Sequence, residues 1–157
     1  MEIIKVFGKA RIFITGRGMK YPPLGEEMQY EINNDHKKFI IPTTLPSLNE
    51  YLAACGRNPK MGGRMKSQAK FLVNGCIRRG IGRWHTDKKI ILHYHFYEAN
   101  MKRDKDNVFA FASKTVQDSL QECKVISNDG WKNIENFTHD FFVDKGKPRI
   151  EVYIEEL

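Results

Sequence analysis

Residues 89–123 read KIILHYHFYEANMKRDKDNVFAFASKTVQDSLQEC, and the hydrophobic period changes partway along this stretch. From Lys89 to Tyr97 the side chains alternate. Ile90, Leu92, Tyr94 and Phe96 fall on one side, and Ile91, His93, His95 and Tyr97 on the other, which is the two-residue period of a strand. From Val108 to Cys123, positions 108, 111, 112, 116, 119, 120 and 123 trace one stripe at helical spacing, with Asp106-Asn107 ahead of it as cap residues. A strand that hands over to an amphipathic helix predicts a sheet with helices packed on it.

Working outward, Phe137 to Val143 and Arg149 to Glu155 read as strands joined by Asp144-Lys145-Gly146-Lys147-Pro148, a hairpin signal, with Ile150, Val152 and Ile154 facing the core. Upstream, Phe39-Ile40-Ile41 is a short strand ended by Pro42. A helix starting at Ser47 or Asn49 takes in Tyr51 to Cys55 and stops at Gly56. After an expected turn at Asn58-Pro59 and Gly62-Gly63, Arg64 to Arg79 carries Met65, Ala69, Leu72, Val73, Cys76 and Ile77 at helical spacing, with Lys66 and Lys70 on another face and Gly80 and Gly82 as breakers. The rings of Phe71, Phe109 and Phe111 are read as core. The expected fold class is α+β: a small mixed β-sheet from strands near 38, 90, 137 and 150, packed by two main helices, 64–79 and 108–123.

Residues 1–35 read as an N-terminal extension of uncertain order. Two β-like runs, Glu2 to Phe7 and Arg11 to Thr15, are split by Gly8 and followed by Gly16, Gly18 and Tyr21-Pro22-Pro23-Leu24-Gly25. Residues 36–157 form the expected domain. With 41% apolar residues in 157, the chain can bury a core without staples. Cys55, Cys76 and Cys123 are far apart, with no CxxC pair, so they read as small buried hydrophobes and offer no zinc site. No apolar run reaches the ~18 residues of a membrane span, and no signal-like apolar stretch follows Met1. A soluble cytoplasmic protein without a membrane partner is expected. No Ser-His-Asp arrangement, phosphate-binding loop or dinucleotide glycine motif is present, which argues against nucleotide cofactors.

The charge is uneven. Between Arg57 and Lys89 stand Arg57, Lys60, Arg64, Lys66, Lys70, Arg78, Arg79, Arg83, Lys88 and Lys89 against Asp87 alone, so this segment carries +9 of a net +7 and the remainder is negative. A localised surplus of this kind is the footprint of a phosphate-backbone binder, although scattered cations also make an ordinary solvated helix face.

The acids sharpen the picture. In an extended segment Asp104 and Asp106 share a face while Lys105 points away, and two converging carboxylates are comfortable with a cation between them. Oxygen donors suit Mg²⁺ or Mn²⁺. The same residue types before a helix also serve as caps, and Asn128-Asp129-Gly130 is by itself a turn signal. A base-stacking role is open to Trp131, but just past a turn the preferred reading is local packing. His93-Tyr94-His95 admits a metal-binding reading, but sheet-surface roles are preferred.

Taken as an ordered set, Asp104-Lys105-Asp106-Asn107, the helix with Lys114 and Asp118-Ser119-Leu120, Val125-Ile126, and Asn128-Asp129-Gly130-Trp131 resemble the RusA family of Holliday junction resolvases. Leu45-Pro46-Ser47-Leu48-Asn49-Glu50-Tyr51 resembles that family's opening loop, and the similarity runs from about residue 38 to the end, some three quarters of the chain. The segment between Asp106 and Lys114 is four residues longer than in the shorter family pattern, about one helical turn or ~6 Å of rise, and in this it looks more like phage-borne members.

The resemblance implies a homodimeric, Mg²⁺-dependent endodeoxyribonuclease, bacterial or prophage-encoded, that makes paired symmetric nicks in four-way DNA junctions during recombination and repair, with Mn²⁺ as a substitute metal. It implies Asp104, Asp106 and Asp129 as metal-binding catalytic acids and Lys114 as the catalytic cation, with Lys102 and Lys105 as substitutes. Arg57, Lys60, Arg64, Lys66, Lys70, Arg78, Arg79 and Arg83 would hold the DNA arms. Two other readings stay open: a non-catalytic basic DNA-binding module, and a metal-dependent nuclease of broader branched or single-strand specificity.

Overall fold

The computed structural model describes residues 14–15, 18–19 and 36–157. The chain divides into two compact units, Met1–Asp35 and His36–Leu157. In the first, β1 (Ile14–Thr15) pairs antiparallel with β2 (Gly18–Met19). The run expected over Glu2 to Phe7 and the break at 21–25 lie outside the described residues.

The second unit runs β3 (Lys37–Ile41), α1 (Leu48–Arg57), α2 (Pro59–Ile81), β4 (Ile90–Glu98), α3 (Lys105–Glu122), β5 (Ile134–Val143) and β6 (Arg149–Glu156). Its sheet has the order β3-β6-β4-β5 and is mixed, with β6 antiparallel to both β3 and β4 and β5 parallel to β4. The fold is therefore a small α+β unit of four strands and three helices. On the helix-facing side Phe39, Val152 and Tyr94 stand in one cross-strand row, with Ile41, Ile150 and Phe96 in the next. Ala69, Val73, Cys76 and Ile77 of α2 and Val108, Phe111, Ala112, Val116 and Leu120 of α3 complete the core. All three cysteines are free thiols; Cys76 is buried and the other two half-buried.

Three expectations need correction. First, α2 begins at Pro59, five residues before Arg64. The Asn58 side chain accepts from the Lys60 N–H at 2.9 Å while its own N–H donates to Ala54 O at 3.1 Å, so a single residue closes α1 and opens α2, with Pro59 in the favoured first position. Gly62 is then helical and buried because α1 is so near: a Cβ there would stand 2.2 Å from Cys55 Sγ. Helix α1 likewise runs past Gly56 to Arg57, and α2 runs past Gly80 to Ile81, capped by Gly82, whose φ of 62° suits glycine.

Second, 144–148 does not close a hairpin. β5 and β6 lie on opposite sides of β4, and the connection straddles its end. Asp144 N–H donates to Glu98 O, the last residue of β4, at 2.8 Å, and Arg149 Nη1 bonds Asp144 Oδ2 at 2.9 Å, which pins the link across the strand it skips. Third, Phe71 is not core: it is 83% exposed, whereas Phe111 is buried and Phe109 partly so.

Among the described residues no helix is long and apolar enough to cross a membrane.

Candidate functional site

The loop from β4 into α3 is held by Arg103. Its Nε and Nη2 bond the two carboxylate oxygens of Glu98 at 3.0 and 2.8 Å, and its Nη1 reaches Leu45 O at 2.7 Å and Glu50 Oε2 at 3.2 Å. Glu50 in turn closes a capping box with Ser47, accepting from the Ser47 N–H at 2.5 Å while Ser47 Oγ accepts from the Glu50 N–H at 3.2 Å. The Ser47 N–H and then the Arg103 charge hold the Glu50 carboxyl below its ordinary range, against the effect of partial burial. One guanidinium thus ties the end of β4, the start of α1 and the start of α3 together, using the bidentate geometry peculiar to arginine.

Asp104 follows directly. It occupies the N-cap position of α3 with extended backbone (φ −69°, ψ 133°), but its side chain makes no capping hydrogen bond. Asp106 lies inside the first turn, where its one hydrogen-bond partner among the described residues is Asn107 Nδ2 at 3.4 Å. The helix begins at Lys105 rather than Val108, so 104–106 is not an extended segment and its side chains do not alternate across a strand. Both carboxylates are exposed, beside the positive end of the α3 dipole. Lys105 Nζ turns toward β5, 5.6 Å from the centre of the Phe141 ring.

Further along α3, Lys114 Nζ bonds Asp118 Oδ1 at 2.7 Å and Asp129 Oδ2 at 2.9 Å. These two acids raise the Lys114 ammonium above its ordinary value, and Lys114 lowers Asp129. Asp129 is held in a turn in which its N–H bonds Asn128 Oδ1 at 2.7 Å and the N–H groups of Asn133 and Ile134 both donate to Gly130 O at 3.0 Å. Trp131 stands out of this turn 93% exposed, so local packing does not account for it. Lys114 lies eight residues beyond Asp106, about 12 Å along the helix axis.

Among the described residues no group of three or more His, Cys, Asp or Glu side chains is gathered closely enough to hold a metal ion. The donor chemistry still discriminates among the acids. Asp104 and Asp106 offer exposed, oxygen-only groups not used for capping, which fits Mg²⁺ bound by one or two carboxylates, water and substrate phosphate. Asp129 is committed to Lys114 and does not complete a three-acid set.

On α2, Lys60, Arg64, Phe71 and Arg78 are spaced by four, seven and seven residues and so share one face, directed away from the core stripe; all are exposed. An exposed aromatic thus sits among cations. Lys66, Arg79 and Arg83 are exposed on other sides, with Arg79 Nη2 3.5 Å from Cys76 Sγ. Lys70 departs from the set: its ammonium pairs with Glu122 on α3 at 2.8 Å, a helix–helix contact. Arg57 ends α1 beside an open cleft of about 500 Å³ bounded by the 44–46 loop, α1, the start of α2 and Arg103.

The sheet face away from the helices carries a separate network. His93 is 1% exposed, with Nδ1 2.8 Å from Thr138 Oγ1 and Nε2 2.9 Å from Glu155 Oε2. Arg149 lies over the Tyr97 ring at 3.6 Å and bonds Glu151 at 2.8 Å. The residues that sequence reading missed are Arg103 and Glu98, whose pairing has no periodic signature. Glu50 is the exception, since Ser47-x-x-Glu50 spells a capping box. No family model matches the chain, and no curated protein does.

Proposed function

We propose that this protein is a Mg²⁺-dependent, structure-specific endodeoxyribonuclease that resolves four-way DNA junctions by paired nicks. The observation that carries the reading is the arrangement along α3: Asp104 and Asp106 at its start with carboxylates not used for capping, and Asp129 paired with Lys114 about two turns further along. The motif order that resembles the RusA family supports the same reading, as does the exposed cationic face of α2 with Phe71 at its middle.

On this reading Asp104 and Asp106 would hold the ion, and Asp129 would add a third carboxylate only if its pair with Lys114 opened. Bound Mg²⁺ supplies an acidified water and polarises the phosphoryl oxygens. Lys114 stabilises negative charge as it develops on the phosphate. Lys60, Arg64, Lys66, Arg78, Arg79 and Arg83 make sequence-independent backbone contacts. A four-way junction has approximate two-fold symmetry, so a two-fold dimer sets one site on each of two opposed strands. The edge strand β5, with Phe137, Phe142 and Val143 exposed, offers a surface for such pairing.

One observation favours a second reading. The Lys114–Asp129 ion pair satisfies both groups without a metal, as in a DNA-binding module that does not cut. End-labelled four-way junction and linear duplex of the same sequence, incubated with Mg²⁺ or EDTA, separate the two. Symmetric nicks on the junction alone, lost with EDTA and with Asp106→Asn while junction binding persists, are expected. Binding without cutting under Mg²⁺ and Mn²⁺ establishes the second reading instead, and equal cutting of both substrates establishes a nuclease of broader specificity.

A further inference from the structure

The cleft beside Arg57 is not used by the chemistry above, and its walls have a definite character. At about 500 Å³ it falls within the size range of small-molecule sites. Leu45 and Pro46 close one side, and Met61 and Met65 of α2 close another. Thioethers adapt to flat rings and make favourable contacts with aromatic edges. Among the polar groups on these walls, two charged ones have unused capacity. Arg57 is exposed and forms no ion pair among the described residues. Glu50 spends Oε2 on Ser47 and Arg103, while its Oε1 accepts nothing among the described residues.

A free guanidinium, partly apolar walls and one unused carboxylate oxygen suit a ligand with an anion, an aromatic body and an amino edge. An inorganic anion has no use for the methionines, and a purely apolar ligand would bury the Arg57 guanidinium unpaired at a cost. Arg103 forms part of the cleft wall, and Asp104 is the next residue, so the cleft opens at the threshold of α3.

We propose that this cleft is a nucleotide subsite: it receives one unstacked nucleotide of bound DNA, with the base between the methionines and the Leu45-Pro46 wall, the phosphate on Arg57, and an exocyclic amine of the base donating to Glu50 Oε1. The proposal rests on the DNA reading and extends it to a recognition element. Enzymes that act at distorted DNA take bases out of the stack where pairing is already weakened, as at a junction crossover. Adenine, cytosine and guanine each carry an exocyclic amine that can donate to a carboxylate, whereas the one donor of thymine is its ring N3–H.

The test uses the full chain labelled with ¹³C-methyl methionine, titrated with the four deoxynucleoside 5′-monophosphates and with deoxyribose 5-phosphate. Saturable upfield shifts of the Met61 and Met65 methyls are expected with dAMP, dCMP and dGMP, several-fold weaker with dTMP, and absent with the baseless sugar phosphate, while the 90% exposed Met101 serves as the unmoved control. Arg57→Ala is expected to weaken the response about tenfold, the loss of one charge-assisted contact. Ala53→Trp, at an exposed position on the cleft wall, is expected to abolish it without touching the core. Methyls that do not saturate, that respond equally to the sugar phosphate, or that respond unchanged in Ala53→Trp overturn the subsite. Because the readout is independent of cleavage, junction cutting with silent methyls refutes the subsite alone, and responding methyls without cutting refute the nuclease reading alone.

Discussion

Replacing Gly75 and Gly80 by alanine, one at a time, tests how α2 is seated, because the same chemical change in the same helix should act in opposite directions. Each substitution removes glycine's backbone entropy from a helix interior, a gain of about 0.8–1.0 kcal/mol. At Gly75 a new Cβ meets nothing within 4 Å, so the gain stands. At Gly80 the Cβ would lie 2.5 Å from Phe39 Cβ and 2.8 Å from both Phe39 Cα and Lys38 O, which are anchored in β3. Ordinary carbon contacts are about 3.5–4.0 Å, so strand or helix must move by about 1 Å. Overpacking against backbone costs about 3 kcal/mol, the upper end of its usual range. The net expectation is that Gly75→Ala gains just under 1 kcal/mol and Gly80→Ala loses about 2 kcal/mol. With a urea slope of about 1.5–2 kcal/mol per molar, the two midpoints, followed by far-ultraviolet circular dichroism, should separate by roughly 1.5–2 M. A Gly80→Ala midpoint at or above wild type would refute the close approach of α2 to β3 as the reason for that glycine.

Two further outcomes follow from the ionic networks. Arg103→Met strands the nearly buried Glu98 carboxylate and should cost about 3 kcal/mol, whereas Arg103→Met combined with Glu98→Gln should recover at least half of it in urea titration; equal losses in single and double variants would show that the pair does not hold the loop. Glu151 is driven upward by burial, but hydrogen bonds from Tyr153 and Arg149 and the charge of Lys38 outweigh that and hold it at about 2, below its ordinary 4.5. A carboxyl depressed in the folded state stabilises above its unfolded pKa and loses that contribution as pH falls; the full shift corresponds to about 3.4 kcal/mol, which solvent screening of this part-buried group reduces to about 2 kcal/mol, and this should drain between pH 4.5 and 2 and be missing in Glu151→Gln. Parallel acid unfolding of wild type and Glu151→Gln across that window would exclude the network as the cause.

What was legible in the sequence followed strong periods. Ile90 to Phe96 and the Val108 to Leu120 stripe declared their faces because burial repeats along them. Helix ends were less visible, since Asn58-Pro59 is both a turn signal and a helix start, and only the Ala54 and Lys60 partners decide between them. The 144–148 link resembled a hairpin turn because strand order is a tertiary matter that local turn chemistry does not encode. Phe71 was misread by counting it as hydrophobic without counting its angle: it lies on the Lys60–Arg64–Arg78 face. For the candidate site, motif order led to Lys114 and Asp129, while the clamp of Arg103 on Glu98, Leu45 and Glu50 spans up to 58 residues of chain and has no local trace.

The position of β6 bears on how the protein comes into being. It is the last of the described elements in chain order, yet it lies inside the sheet, separating β3 from β4. Until Arg149–Glu156 emerge during synthesis, β3 lacks its partner strand among the described residues, and Phe39 and Ile41 have no Val152 and Ile150 beside them. The helices and the β4–α3–β5 unit can gather first, but closure of the core waits on eight residues at the end of the described chain. A nascent or truncated product lacking that strand would expose the open edges of β3 and β4 side by side, a template for mispairing with neighbouring chains.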